Sequence, residues 1–276
     1  MSRNCSWGYN PRREISPFMI SLIREVRQNR ELIWALALKE LRVRYKRSVL
    51  GFLWALLNPL LMMVILTVVF SHIMRLPVQS YAVFLLSALL PWTFFSQALS
   101  YAVESVVGNG ALLQKVRVDK SVFPIAAVTS NILNLFFSLV PMVVILVALR
   151  FPLHWTWLFL PVPMISLFLF TLGCGFLCAT MNVFYRDVSH VVQIILQAWF
   201  YLSPVLYSLD FLPHRFRGVF RLNPMLYLLN EFRMVIYYGQ MPALGSIAAC
   251  LAIGMFFLAA GYALFHRYES SFAYYV

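Results

Sequence analysis

Long apolar blocks alternate along the chain with short polar breaks, and the blocks are of membrane length. Apolar runs near 49–72, 81–106, 122–149, 157–182, 190–208 and 243–265 approach or exceed the about 20 residues that a helix needs to cross a bilayer core. The pattern predicts an all-α polytopic membrane protein with six transmembrane helices, split into a cytoplasmic N-terminal region, 1–48, and a six-span domain, 49–276. Prolines in nearly every span (Pro59, Pro91, Pro141, Pro161, Pro163, Pro204) predict kinks. Small residues in the fourth, Gly173, Gly175 and Ala179, predict close helix packing.

The beginning of the chain follows another rule. Met19, Leu22, Ile23 and Val26 recur at i, i+3, i+4 and i+7, one face of a short helix, and Ser16-Pro17 supplies a cap and a first-turn proline. A second helix carries Trp34, Leu38, Leu41 and Tyr45 along one stripe and Lys39, Arg42 and Lys46 along another. This large apolar–basic contrast describes an N-terminal amphipathic interfacial helix, which either anchors on anionic lipid or also docks a partner. One segment, 209–241, is too polar to span yet holds apolar clusters at Met225–Leu229 and Met234–Tyr238. Short re-entrant helices before the last span, dipping into the outer leaflet as a lid over an exit, suit it, because irregular backbone at that depth survives only where protein or water covers it.

Charge sets the direction. With the N-terminus inside, sixteen of the 22 Lys and Arg lie on the cytoplasmic side, and six (Arg75, Arg150, Arg215, Arg217, Arg221, Arg233) lie outside. Both termini are therefore expected in the cytoplasm. The net charge of +12 flanks apolar blocks, and only 12% of residues are charged against roughly 25% in soluble domains; no nucleic-acid partner is expected. The first long apolar run starts near residue 49, too late for a signal peptide. Cys5, Cys174, Cys178 and Cys250 have no metal-ligand spacing.

The spans also lack certain chemistry. Their middles are almost free of ionisable residues, with Glu104 and His190 near span ends, so no ion relay is expected. There is no GxxxxGK[ST] phosphate loop and no TVGYG-like filter. Energy for active transport would have to come from another chain. Polar stripes are the positive signal. Thr93, Gln97, Ser100, Tyr101 and Glu104 share one face of the second span, Gln193, Gln197 and Tyr201 one face of the fifth, and Ser130, Asn134 and Ser138 one face of the third. The third suits interhelical hydrogen bonding. The other two either do the same or line a substrate conduit, with Gln97, Ser100, Tyr101, Gln193, Gln197 and Tyr201 offering amides and flat rings to a polyhydroxylated chain.

Four segments, LKELRVRYKRSVLGFLWALLNPLL (38–61), LLQKVRVDKSVFPIA (112–126), NVFYRDVSHVVQIILQAWFYLSPVLY (182–207) and LNPMLYLLNEFR (222–233), resemble the ABC-2 type permeases that export lipid-linked O-antigen, teichoic acid and related polysaccharides. The resemblance covers residue 30 to the end. It implies a homodimer in the bacterial inner membrane, bound to two copies of an ATPase subunit. That partner holds ATP and Mg; no cofactor or metal is expected on this chain. It further implies ATPase coupling through Lys39, Arg42 and Lys46, through Leu113, Lys115 and Arg117, and through Arg186 and Asp187. Spans one, two and five would line the path, and Asn223, Pro224, Glu231 and Arg233 would belong to an external gate. VRVDKSVFP (116–124) departs from the family's VYFPRE-like order of charges.

Competing cargoes are teichoic acid, capsular polysaccharide or a small hydrophobic drug. A membrane enzyme acting on polyprenyl-linked sugars would need an acid or histidine cluster at the membrane face, and Asp187 with His190 is the nearest pair. A passive channel would not need the docking surface.

Overall fold

The computed structural model describes residues 18–46, 53–69, 80–115, 118–208, 218 and 220–275. Every regular element among them is helical: α1 Phe18–Gln28, α2 Arg30–Tyr45, α3 Leu53–Thr67, α4 Tyr81–Ser105, α5 Gly110–Lys115, α6 Val122–Ala148, α7 Pro161–Phe184, α8 Val188–Leu202, α9 Pro224–Ile236, α10 Leu244–Tyr268 and the short α11 Phe272–Tyr275. Short 3-10 turns precede α5 and α7 and follow α10.

Among the described residues, four helices are long and apolar enough to cross a membrane: Tyr81–Ser105, Val122–Val147, Trp155–Phe184 and Leu244–Ser271. They coincide with four of the six expected spans. The expected first span is described only over α3, 15 residues long. The fifth is α8, also 15 residues. It stops early because Pro204 forces Ser203 into extended backbone (φ −102°, ψ 143°), as prolines do to the residue before them. Pro91 and Pro141 lie inside α4 and α6. Pro161 and Pro163, expected to kink a span, instead begin α7, where a missing N–H costs nothing.

α4 is the central helix, touching α3, α6, α7, α8 and α9, and its fully buried residues include Val83, Leu85, Phe95, Ala98 and Ala102. α7 and α10 run parallel in closest contact. A Cβ on Gly261 would sit 2.1 Å from the Gly173 carbonyl oxygen, and one on Gly173 2.3 Å from the Phe257 backbone. Only glycine allows this approach, so the expected small-residue packing is realised. The bundle has two ends. At one, α1, α2, the α5–α6 link and Phe272 gather; at the other, Tyr81, Val205, Leu206, Thr156 and α9 are knit together.

Within 209–241, both apolar clusters fall on or just beyond the single helix α9 rather than on separate helices. Residues 209–217 and 219 lie outside the described residues, as do Cys5, Ser16, Pro17, Arg47, Arg75, Arg117, Arg215 and Arg217.

Candidate translocation path and docking surface

The strongest apolar–polar contrast belongs to α1, not α2. α2 buries Ile33, Leu36 and Ala37 against α6, whereas Trp34 is exposed and Leu38 and Leu41 are half-buried. Its contrast is weak because Glu40 and Arg44 stand on the protein-facing side. In α1, Leu22 is buried while Ile23 and Val26 are exposed.

Polar pairs fasten these helices to the bundle. Ser121 donates to Glu25 at 2.8 Å and Tyr262 donates to the same carboxylate at 2.7 Å. The Asn29 amide donates to Asp119 at 2.9 Å. Ser130 donates to Glu40 at 2.9 Å, so this member of the third-span stripe bonds between helices; Ser138 instead donates to the Asn134 carbonyl on its own helix. Burial pushes the Glu40 carboxyl above its usual range, against the lowering pull of Ser130 and Arg44. Arg44 donates to Asn131 at 3.1 Å and lies 4.1 Å from the Tyr101 ring centroid. Lys120 donates to the Glu269 carbonyl. The unusual charge order of 116–124 thus has an internal use: Asp119 receives the α1–α2 corner and Lys120 holds the chain beyond α10. Sequence reasoning passed over Glu25, Glu40 and Arg44; the signal was acids and an arginine at helical spacing with Leu22, Ile33 and Ala37.

The expected coupling residues face outward. Lys39, Arg42 and Lys46 line a groove of about 610 Å³ with Ala35, Leu38 and Val43. Lys115 is exposed and Leu113 half-buried on α5, and Arg186 and Asp187 are exposed between α7 and α8. All belong to the α2 end of the bundle.

The polar stripe of α8 is likewise uncovered, and that of α4 is partly so. α8 buries Val192 and Leu196 and leaves Gln193, Gln197 and Tyr201 exposed. On α4, Gln97 and Ser100 are half-buried, and Tyr101 and Glu104 are exposed. Thr93 and Ser100 return their hydroxyls to carbonyls one turn back. Below the Tyr201 end of α8, Trp92, Phe95 and Trp199 pack edge to face, joining the two striped helices.

At the far end, Asn223 caps α9 by accepting from the Met225 N–H at 3.0 Å, with Pro224 in the first turn, a strong start signal. The same side chain accepts from Trp199 at 2.9 Å and donates to the Leu202 carbonyl and the Ser203 hydroxyl. One asparagine therefore pins α9 to the end of α8. Arg233 donates to the Val205 carbonyl at 2.8 Å and stacks 3.9 Å from the Phe84 ring centroid. Glu231 is fully buried, with the Cys250 thiol beside its carboxyl.

The ABC-2 type transporter family matches residues 31–237. The chain belongs to that family. This ABC-2 chain is 33% identical over 257 residues to the O-antigen export system permease protein RfbA of Myxococcus xanthus, covering 92% of this chain and 99% of that protein. It is 29% identical to an RfbA of Klebsiella pneumoniae, covering 88% and 94%. Against the polysialic acid transport protein KpsM of Escherichia coli it is 25% identical, covering 74% and 81%. It is a membrane transporter whose described regular structure is all helical, and no group of three or more metal-binding side chains occurs among its described residues.

Proposed function

We propose that this ABC-2 chain is the transmembrane permease of an exporter that moves lipid-linked polysaccharide of the O-antigen type across the bacterial inner membrane. It works as a homodimer driven by two copies of a separate ATPase. Export permeases of O-antigen are among its relatives at full-length coverage. The observation that carries the reading is the uncovered face of Gln193, Gln197 and Tyr201 on α8. An amide without a partner in an apolar medium costs roughly 2–7 kcal/mol, so this face belongs against water or a second copy, not lipid. Amides and Tyr201 there, with Gln97 and Ser100 on α4, give a sugar chain hydrogen bonds and a flat apolar contact, and Tyr101 borders them with Arg44 against its ring.

Six crossings with both termini in the cytoplasm fit the connectivity. α3 leads from the α2 end toward the start of α4 at the opposite end, and α8 leads from Arg186 to the Asn223 joint. Lys39, Arg42 and Lys46, with Leu113, Lys115, Arg117, Arg186 and Asp187, then face the ATPase, which holds ATP and Mg. Asn223, Pro224, Glu231 and Arg233 stand at the outer exit. The likeness to the polysialic acid transport protein KpsM supports a polysaccharide of another kind as the second cargo class, ahead of a small hydrophobic drug.

Deleting this subunit should leave a lipid-linked glycan on the cytoplasmic face and strip it from the cell surface, with both restored by the gene. Normal surface glycan after deletion, or ATP hydrolysis by the purified chain alone, contradicts the proposal.

A further inference from the structure

At the α9 end a cavity of about 220 Å³ brings together Ser208, Asn230, Arg233 and Tyr238 against an apolar wall of Phe84, Pro204 and Leu226. Arg233 is only 5% exposed. Of its five N–H donors, one is used on Val205, and its Nε is buried with no partner. Among the described residues no carboxylate lies within ion-pairing distance of it. Glu231, two positions along α9 and so on another side of the helix, lies beside the Cys250 thiol instead.

A guanidinium removed from water costs several kcal/mol unless a counter-charge meets it. Among the described residues this one meets a ring, a carbonyl and neutral tyrosines. The cavity adds the Asn230 amide and the Tyr238 hydroxyl beside Ser208, and none of its described lining residues is an acid. A fixed planar cation with converging neutral donors is the arrangement that suits phosphate oxygens. On the same α8–α9 junction, Trp199, Leu202, Leu222 and Pro224 line an apolar groove of about 310 Å³. Groove and cavity both open at this junction, on different sides of α9, because Pro224 and Leu226 are two residues apart.

We propose that the Arg233 cavity binds the phosphate of an amphiphile, supplied either by an anionic membrane lipid or by the phosphate linkage of the exported glycolipid. Placing the site on the outer face rests on the orientation proposed above; the binding itself does not.

The test uses the full permease–ATPase complex in neutral detergent, followed by thermal unfolding through tryptophan fluorescence. Phosphatidylglycerol, phosphatidylcholine with the same chains, and inorganic pyrophosphate are the probes. Phosphatidylglycerol or pyrophosphate should raise the Tm of the wild type, with phosphatidylcholine inert. Asn230→Ala, at an exposed position, should keep the unliganded Tm and weaken the response about fivefold, the loss expected for one hydrogen bond. Arg233→Lys should weaken it further. Stabilisation by phosphatidylglycerol alone assigns the site to membrane lipid; stabilisation by pyrophosphate, competed by phosphatidylglycerol, assigns it to the cargo linkage. Failure of both anions to shift the wild type, or wild-type responses in folded Asn230→Ala and Ser208→Ala, overturns the proposal. Because no export is measured, that failure leaves the export reading standing.

Discussion

The Arg44 guanidinium lies 4.1 Å from the Tyr101 ring centroid and also donates to Asn131 on α6. One side chain thereby joins the helix that carries Lys39 and Arg42 to the striped face of α4. On the proposed function, this contact and the neighbouring Glu40–Ser130 bond would carry force from the α2 groove to the path.

A cation over an aromatic face is worth about 0.5–2 kcal/mol, and the Asn131 bond adds about 1 kcal/mol. Arg44→Ala should therefore keep the complex assembled and its ATPase running while export falls at least tenfold. In a double-mutant cycle with Tyr101→Ala, scored by export rate, the two losses should not add. Strict additivity would show that the contact transmits nothing.

Glu40 makes the docking of α2 sensitive to pH. Burial raises its pKa above the unfolded value. A carboxyl shifted this way contributes docking that is complete below the unfolded pKa and is lost as pH rises through the folded one. Spin-label distances between α2 and α6 should therefore tighten on acidification from about pH 8 to about pH 5, around the carboxylate range. Glu40→Gln should hold the acid distance at every pH; an unchanged response in that variant refutes the assignment.

The α7–α10 seam leaves no room for a methyl group at Gly173 or Gly261. Overpacking costs about 1–3 kcal/mol even where side chains can shift, and here the obstacle is backbone. Gly173→Ala and Gly261→Ala should fail to accumulate or should lose several degrees in Tm. Gly245→Ala, with nothing within 4 Å of the added Cβ, should behave as wild type.

Asn223→Ala removes the hydrogen bonds to Met225, Trp199, Leu202 and Ser203, each worth about 0.5–1.5 kcal/mol. Faster amide exchange in the first turn of α9 and a lower Tm should result. Asn223→Asp keeps both acceptor roles and loses both donor roles, so it should fall between. Equal exchange in all three proteins would dissociate α9 from α8.

What the sequence disclosed and what it withheld divide along physical lines. Spans near Tyr81, Val122, Trp155 and Leu244 were legible because long apolar runs at membrane length have few alternatives. The stripes through Gln97 and Gln193 were legible because helical periodicity alone decides which residues share a face. The protein-facing side of α2 was not: Glu40 and Arg44 look like ordinary surface charges until Ser130, Asn131 and Tyr101 stand opposite them. Nor was α8's early stop, which depends on what Pro204 does to Ser203. Asn223 was singled out by its motif, whereas its bonds to Trp199 and Ser203 come only from the fold.

The central claim, that the Gln193–Gln197–Tyr201 face of α8 borders a hydrated path, is tested most directly by cysteine accessibility. Single cysteines replace Gln193, Gln197, Val191 and Ile195, all exposed on α8, in an otherwise cysteine-free complex with its ATPase. A charged, membrane-impermeant thiol reagent should label Gln193→Cys and Gln197→Cys at least tenfold faster than Val191→Cys and Ile195→Cys, and sugar-chain cargo should protect them. Equal labelling at all four positions, or none at the glutamine sites, would contradict the account.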